Sequence, residues 1–306
     1  MQADQQTALP DWQIFIGKWG DSIEGHALIY HSLDSAAVTQ LLWQQGLTPG
    51  ARRQFAQWLS LPEADCGRLL AFWTSLHDIG KATPSFQKKH KPTQSELERR
   101  GFTFPPLAQT EIRHHSLLSQ WILQDFAADL NIQPTGVFNQ FRYAIGGHHG
   151  VFHFQEDFEE TLAPSKNLGT QPGAAARWRS ARREFFNALS GLLAPPVVPA
   201  FNLAQTESNA LFNLLTGFFV AADWIASQDN LFPYQPALPR LEDYWALAQQ
   251  RALAALTNTG WIGWQPDHAF REFNQLFPFP PRPLQQMVLD SAESLQNPFL
   301  MIIEAP

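Results

Sequence analysis

The sequence predicts an all-α protein, a globular helical bundle that carries the start of an α/β domain at its C-terminal end. The 306 residues are 44% apolar, which is enough for a buried core. Apolar residues recur at helical spacings of three and four along most of the chain, and strand-like runs are nearly absent before its last residues. Helices are predicted at residues 28–43, 52–61, 66–79, 116–130, 138–145, 174–193, 209–227 and 244–256.

The character of the chain changes after residue 260. Residues 277–283 (FPFPPRP) form a stiff proline-rich stretch that no helix interior accepts. A short helix is predicted at 284–295, and the apolar run at 299–303 is typical of a buried parallel strand. Because one strand cannot bury itself, we expect a helical domain, a linker and the truncated beginning of a second domain. Their predicted limits are 1–260, 261–283 and 284–306.

Composition narrows the possible functions. A net charge of −7 argues against a protein that covers duplex DNA through a broad basic face, although bound cations would offset carboxylates at a local site. The single cysteine, Cys66, excludes an internal disulfide and favours a reducing cytoplasm. No signal peptide is recognisable, and Asn213 and Asp223 interrupt the most apolar helix. We therefore expect neither secretion nor a membrane span.

A histidine–aspartate pair, His77-Asp78, ends the strongly apolar segment 69–76, and Gly80 follows as a candidate helix C-cap. Adjacent residues at a helix end project about 100° apart, so both side chains can bind one ion. The alternative is a core histidine beside a helix-terminal aspartate.

Two further positions favour a metal. His148-His149 lies in the turn GGHHG, whose glycines allow the backbone to approach a ligand closely. Asp223 lies in an otherwise apolar helix, where an ionised carboxylate is costly unless it is paired or metal-bound. The alternatives are a solvated loop and an ion pair with an arginine.

Three more histidines are candidate ligands. His31 lies one turn before Asp34 on a predicted helix, and a structural histidine is the alternative there. His114-His115 precedes the helix predicted to begin at Ser116, and either member is equally consistent with a ligand or a surface residue. Mixed imidazole and carboxylate ligands are typical of Zn, Fe, Co, Ni and Mn rather than Ca or Mg. The set therefore predicts a transition-metal site.

The order of these residues resembles the HD superfamily of metal-dependent phosphohydrolases. The segments LHDIGK (76–81), GHHG (147–150) and ADWIAS (222–227) resemble the HD nuclease domain of the CRISPR-associated nuclease-helicase of type I systems. KWG (18–20) and HSLDSAAV (31–38) are similar to its type I-E branch.

The resemblance extends into the C-terminal region. RPLQ (282–285) resembles the adenine-reading segment before a helicase core, so Gln285 would contact adenine in the full-length helicase only. IIEAP (302–306) resembles the strand that leads into a Walker A loop, and the sequence stops just before that loop. ATP and Mg²⁺ would thus serve only the missing helicase part, and no helicase or ATPase activity is expected from this piece.

The resemblance implies an HD-type bundle with two divalent transition-metal ions, from Fe, Mn, Co or Ni with Zn possible. One ion would be held by His31, His77, Asp78 and Asp223. The other would be held by Asp78 as a bridge, with His114, His148 and His149. The family usually has one histidine followed by glutamate where this chain has His114-His115, so the choice of His114 over His115 stays open.

Two residues near the ligands have proposed roles beside the catalytic Asp78. Lys81 would contact the scissile phosphate as a second catalytic residue, with a solvated lysine as the alternative. Ser227, one turn beyond Asp223, would position the substrate, with a helix cap as the alternative.

The implied function is a metal-dependent DNA endonuclease or exonuclease that hydrolyses phosphodiester bonds of single-stranded DNA in type I CRISPR interference. Its partners would be single-stranded DNA, an RNA-guided surveillance complex and its own helicase domain. The alternatives are an HD-type nucleotide phosphohydrolase and a non-catalytic, metal-stabilised interaction module. The most basic local segment offers a DNA path or a partner surface, with a solvated loop as the alternative; its cations are Lys88, Lys89, Lys91, Arg99 and Arg100.

Overall fold

The computed structural model describes residues 9–20, 25–127, 136–153, 164–171, 175–197, 203–235, 240–263, 272–294 and 301–303. The chain divides into two compact units, Met1–Gly263 and Trp264–Pro306. The helices of the described part are α1 (Asp11–Ile14), α2 (Leu28–Leu41), α3 (Pro49–Leu59), α4 (Glu63–Ser75), α5 (Pro84–Gln87), α6 (Lys91–Arg99), α7 (His115–Phe126), α8 (Val137–Gly146), α9 (Pro164–Leu168), α10 (Ala175–Leu193), α11 (Gln205–Ala226), α12 (Leu241–Asn258), α13 (Phe273–Leu276) and α14 (Pro283–Glu293). The predicted all-α bundle is confirmed.

Helix α2 forms the centre of the first unit, because α4, α11 and α12 pack around it. All its residues from Leu28 to Thr39 are buried, so its polar side chains must find partners inside the protein. Asp34 accepts hydrogen bonds from the Tyr244 hydroxyl at 3.1 Å and from His26 Nε2 at 3.0 Å. This enclosed helix also places His31 at the heart of the bundle.

A short antiparallel pair of strands, β1 (Ile16–Lys18) and β2 (His26–Ala27), precedes the central helix. Strands this short have no detectable period, which is why the sequence did not predict them. The Gln87 side chain fixes β1, since it accepts a hydrogen bond from Ile16 N and donates one to Ile16 O, each at 3.0 Å. The sheet is thereby tied to the segment that follows His77-Asp78.

Aromatic side chains form much of the core. Trp73 stacks on Phe141 with ring centroids 4.9 Å apart, and Phe15 stacks on Trp178 at 5.8 Å. Cys66 is also buried, and burial together with the charge of Asp65 raises the pKa of its thiol to about 12. A thiol held neutral in this way offers no nucleophile.

Three local predictions are corrected by the structure. Helix α4 ends at Ser75, so His77-Asp78 lies in the turn after the helix, and Gly80 belongs to the following 3₁₀ turn (Ile79–Lys81) rather than to a C-cap. Helix α7 begins one residue early, at His115. Residues 301–303 are not a strand, because no neighbouring strand in the described ranges pairs with their backbone; the rest of the predicted strand lies outside those ranges.

Helix α11 is, within the described part, the one helix long and apolar enough to cross a membrane. This is weak evidence, since the core helices of soluble proteins pass the same test. Of the most apolar 18-residue stretch of this helix, 44% is buried in the protein. Its Asp223 faces the histidines described below.

Candidate metal centre

The predicted histidines and aspartates converge from five separate segments. The central helix α2, the turn after α4, the start of α7, the turn after α8 and the end of α11 each contribute at least one of them. Groups of three or four ligand atoms lie within 4.8 Å of one another. These groups are His31, His77, Asp78 and Asp223; Asp78, His115 and His148; His148, His149 and Asp223; and His114, His115 and His149.

Asp78 lies between two sets of imidazoles. Its Oδ2 atom is 3.4 Å from Nε2 of both His31 and His77. Its Oδ1 atom is 3.2 Å from His115 Nε2 and 3.6 Å from His148 Nε2. The two oxygens of one carboxylate therefore face different ligand sets, which is the arrangement that a bridging ligand requires.

Asp223 completes the first set. Its Oδ1 atom accepts a hydrogen bond from His31 Nε2 at 3.2 Å and lies 3.4 Å from His77 Nε2. The Ser227 hydroxyl donates to the same oxygen at 3.0 Å. Imidazoles rather than an arginine thus explain this buried carboxylate, and Ser227 fixes its orientation one turn away.

Two backbone carbonyls orient the buried imidazoles, and the sequence did not reveal them. His77 Nδ1 donates to Thr74 O at 2.7 Å, and His148 Nδ1 donates to Ile145 O at 2.6 Å. Both carbonyls belong to the last turn of a helix, and each also accepts the backbone N–H of the same histidine, His77 N at 3.0 Å and His148 N at 3.3 Å. Each bond directs Nε2 toward Asp78, as outer partners of metal-binding histidines do. A histidine three residues after such a carbonyl is the signal that sequence reading missed.

The atoms that face the centre fit a bound cation. His77 Nε2, His148 Nε2 and Asp78 Oδ1 are buried, and none has a hydrogen-bond partner among the described residues. Buried polar atoms are rarely left unpaired, because each one costs about 1–3 kcal/mol. Divalent transition-metal ions would satisfy all three atoms at once.

The protonation states suit this interpretation. Burial alone would raise the pKa of Asp78, but the charges of Lys81 and His77 outweigh it and hold that pKa well below its usual range. Burial would also raise the pKa of Asp223, but the hydrogen bond from His31 and the nearby charge of His77 hold that pKa well below its usual range. Burial would lower the pKa of His77, yet the two carboxylates raise it to about 10. A metal would displace this proton, because only the neutral imidazole is a ligand.

The second ligand set includes the largely buried His115 and the exposed His149. His115 Nε2 and His149 Nε2 face each other at 2.9 Å. Burial lowers the pKa of His115 to about 3, and burial together with His148 lowers that of His149 to about 4. Both rings are therefore neutral near pH 7 and have a lone pair to offer a metal.

His114 lies farther from the carboxylates than its neighbour. Its ring contacts those of His115 and His149, with centroids 4.1 and 5.0 Å away. Its Nδ1 atom is 2.8 Å from the Ser116 hydroxyl, as the N-cap of α7. His114 belongs to a group with His115 and His149 that lacks Asp78, whereas His115 also belongs to the group with Asp78 and His148.

Lys81 and Gln285 have different surroundings. Lys81 Nζ lies 2.6 Å from Asp78 Oδ2 and keeps 14% of its side chain exposed, so it borders the centre. Gln285 lies in the second unit, where its side chain accepts a hydrogen bond from Arg282 N at 2.9 Å at the start of α14.

A family model described as the HD domain of Cas3 matches residues 17–232. The chain is 30% identical over 283 residues to the CRISPR-associated endonuclease/helicase Cas3 of Thermus thermophilus, an alignment that covers 92% of this chain and 29% of the relative. The chain spans about a third of the length of the curated relatives it matches.

Two solved structures are similar in fold. One is the crystal structure of the Thermus thermophilus Cas3 HD domain in the presence of Ni²⁺, with a TM-score of 0.59 and 26% identity over 85% of this chain and 93% of that one. The other is described as a CRISPR RNA-guided surveillance complex, pre-nicking, with a TM-score of 0.66 and 26% identity over 82% of this chain and 29% of the matched one.

Proposed function

The chain belongs to the Cas3 HD domain family, and from this premise we propose that its metal centre hydrolyses phosphodiester bonds of single-stranded DNA. The observation that carries the proposal is Asp78, whose two oxygens face two sets of imidazoles. A single carboxylate between two ligand sets suits a pair of divalent ions and not an isolated structural one. The site is open at the exposed His149, beside His115, where a substrate can reach it.

We assign the ligands by the groups that the fold brings together. One ion would be held by His31, His77, Asp78 and Asp223. The other would be held by the group of Asp78, His115 and His148, with His149 as a further ligand because its Nε2 lies 2.9 Å from His115 Nε2. His115 replaces His114 in this assignment because His115 Nε2 lies 3.2 Å from the bridging carboxylate. Fe, Mn, Co and Ni suit such mixed ligands, and Zn is compatible with them.

Bound by these residues, the ions would supply Lewis acidity for the activation of water and for the stabilisation of the departing oxygen. The protein's own residues do the rest. Thr74 O and Ile145 O hold His77 and His148 in the ligand tautomer. Ser227 orients Asp223, and Lys81 adds a positive charge for the non-bridging oxygens of the scissile phosphate.

The substrate and partners follow from the relatives. Their names describe an endonuclease/helicase, and one similar structure is a surveillance complex. We propose that a helicase domain in the full-length chain delivers single-stranded DNA to this centre, that an RNA-guided complex recruits the protein, and that this occurs in the cytoplasm. ATP and Mg²⁺ would serve the helicase, including the adenine contact of Gln285.

Incubation of the purified chain with Mn²⁺, Co²⁺ or Ni²⁺ and circular single-stranded DNA tests this function. We expect DNA cleavage with at least one of these ions and none with a chelator. Parallel reactions contain nucleoside triphosphates and monophosphates. Hydrolysis of nucleotides without DNA cleavage would identify a nucleotide phosphohydrolase instead. If neither substrate were hydrolysed, the result would favour a non-catalytic, metal-stabilised interaction module.

Separate alanine variants of the two adjacent histidines test the ligand assignment. We expect His115→Ala to lower the cleavage rate by at least about 100-fold, because even the loss of an outer partner of a ligand costs 10–100-fold. His114→Ala should have the smaller effect. The measurements are single-turnover DNA cleavage and the bound metal per chain after gel filtration. A larger loss of metal in His114→Ala than in His115→Ala would restore the assignment of His114.

A further inference from the structure

A cationic segment without acidic residues borders the proposed metal centre. Four of the six lysines in the chain lie between residues 81 and 91, and no aspartate or glutamate occurs from residue 79 to 95. This is unusual in a protein with a net charge of −7. A local excess of positive charge beside a phosphodiesterase centre indicates an anionic ligand.

Phe86 connects this segment to the centre. Its ring lies edge-on to the His115 ring, with centroids 5.8 Å apart. Lys81 Nζ lies 5.5 Å from the centroid of the same ring, and Lys89 Nζ lies 5.0 Å from it. Two ammonium groups thus share one aromatic ring, and the first of them contacts Asp78.

Lys81 and Lys89 differ in what they contact. Lys81 is paired with the Asp78 carboxylate, whereas Lys89 is exposed and has no carboxylate partner among the described residues. Burial of part of the Lys89 side chain and the charges of Lys81 and Lys88 lower its pKa. Its surroundings therefore favour an anion that the folded chain does not itself supply.

The ring of Phe86 acts as a spacer. Only 9% of the residue is exposed, so its faces are not available for a base to stack on. Trp19 packs edge-on against it at 5.7 Å from the side of the strands. A ring held in this way limits the separation between Lys89 and Lys81, and it therefore keeps Lys89 near the lysine that contacts Asp78.

We propose that Lys89 is a positioning residue that binds the backbone phosphate next to the scissile phosphate of the single strand. This inference rests on the proposed function and adds the register of the strand to it. Lysine is suited to the task, because it acts as a point charge that accepts any backbone geometry and reads no base. An acidic segment of a partner protein is the other class of anion that would fit, and the experiment below separates the two.

The test compares Lys89→Ala with Arg53→Ala in the Mn²⁺-loaded chain. Arg53 is an exposed cation on α3 without an ion pair among the described residues, so its removal changes the net charge equally. The substrates are an oligothymidylate and bis(p-nitrophenyl) phosphate, which has one phosphodiester and no neighbouring phosphate. Initial rates are measured from low to high salt.

For Lys89→Ala we expect KM for the oligonucleotide to rise about tenfold at low salt, which is the scale of one charged hydrogen bond. The slope of log KM against log salt concentration should decrease by about 0.7, the value for one phosphate contact on a single strand. The ratio of kcat/KM for DNA to that for the small diester should fall by the same factor of about ten. Lys89→Arg should restore most of the loss, and Arg53→Ala should show no change in this ratio.

Equal KM values in Lys89→Ala and Arg53→Ala would overturn the proposal. A parallel loss on both substrates would also overturn it, because it would show that Lys89 supports the centre rather than the strand. Unchanged DNA kinetics together with weaker binding of polyglutamate would identify an acidic protein segment as the occupant. Failure of the proposed function itself looks different, since the wild-type chain would then cut no DNA.

Discussion

Replacement of Asp78 by asparagine should lower DNA cleavage by at least about 1,000-fold, the scale of losing a central catalytic group. Asparagine has the same shape but no charge, and only its amide oxygen can coordinate a metal ion. Both ligand sets would therefore lose their shared member. The measurements are single-turnover cleavage with Mn²⁺ and the bound metal per chain.

The folded state should survive this change. Without Asp78, His77 loses the main charge that raises its pKa and can become neutral, and Lys81 remains partly exposed to water. We expect the melting temperature of the metal-free variant to stay near that of the wild type. Added Mn²⁺ at 100 times its Kd should stabilise only the wild type, by about 2.7 kcal/mol.

The matched control is Asp229→Asn, which removes an exposed carboxylate that pairs with Lys18 at 3.0 Å. Its activity and its response to Mn²⁺ should match the wild type. A large drop in the melting temperature of Asp78→Asn, with a wild type that cuts nothing, would instead indicate a structural metal in a non-catalytic module.

Gly80→Ala should be the most destabilising small substitution beside the centre. A Cβ atom at this position would lie 1.9 Å from His115 O and 2.6 Å from Ser119 N, both of which are backbone atoms. Gly80 N also donates to the Ser119 hydroxyl at 2.8 Å. The 3₁₀ turn and the start of α7 would have to separate, which also moves His115 away from Asp78.

We expect Gly80→Ala to cost about 3 kcal/mol of unfolding free energy, at the upper end for overpacking. This corresponds to a decrease of roughly 10 °C in melting temperature for a domain of this size. Urea unfolding and DNA cleavage report the two consequences. Activity should fall in the native protein as well, because the second ligand set is displaced.

The control is Gly191→Ala on α10, where a Cβ atom meets nothing within 4 Å. Because Gly191 is exposed inside a helix, this change should raise the free energy of unfolding by about 0.5–1 kcal/mol. If both glycine variants unfolded at the same urea concentration, the close contact between the 3₁₀ turn and α7 would be refuted.

Much of the fold was readable from the sequence, because helical periodicity is a local property. The helices around α2, α4, α10, α11 and α12 were predicted within a few residues of their ends. The residues at which the helices begin and end were harder to predict. Helix α4 ends at Ser75, and the turn after it brings Gly80 into close contact with α7, a contact between separate segments that local periodicity does not report.

The sequence by itself determined which residue types are present, their order and the resemblance that groups them. Only the tertiary structure decided how they meet. His31 and Asp223 are 192 residues apart in the chain yet hydrogen-bonded at 3.2 Å. His114 and His115 are adjacent and their rings are in contact, yet only His115 joins a ligand group with Asp78. The sequence likewise did not predict the carbonyls that orient His77 and His148 or the ring that holds Lys89 near the centre. These contacts depend on how the segments pack together.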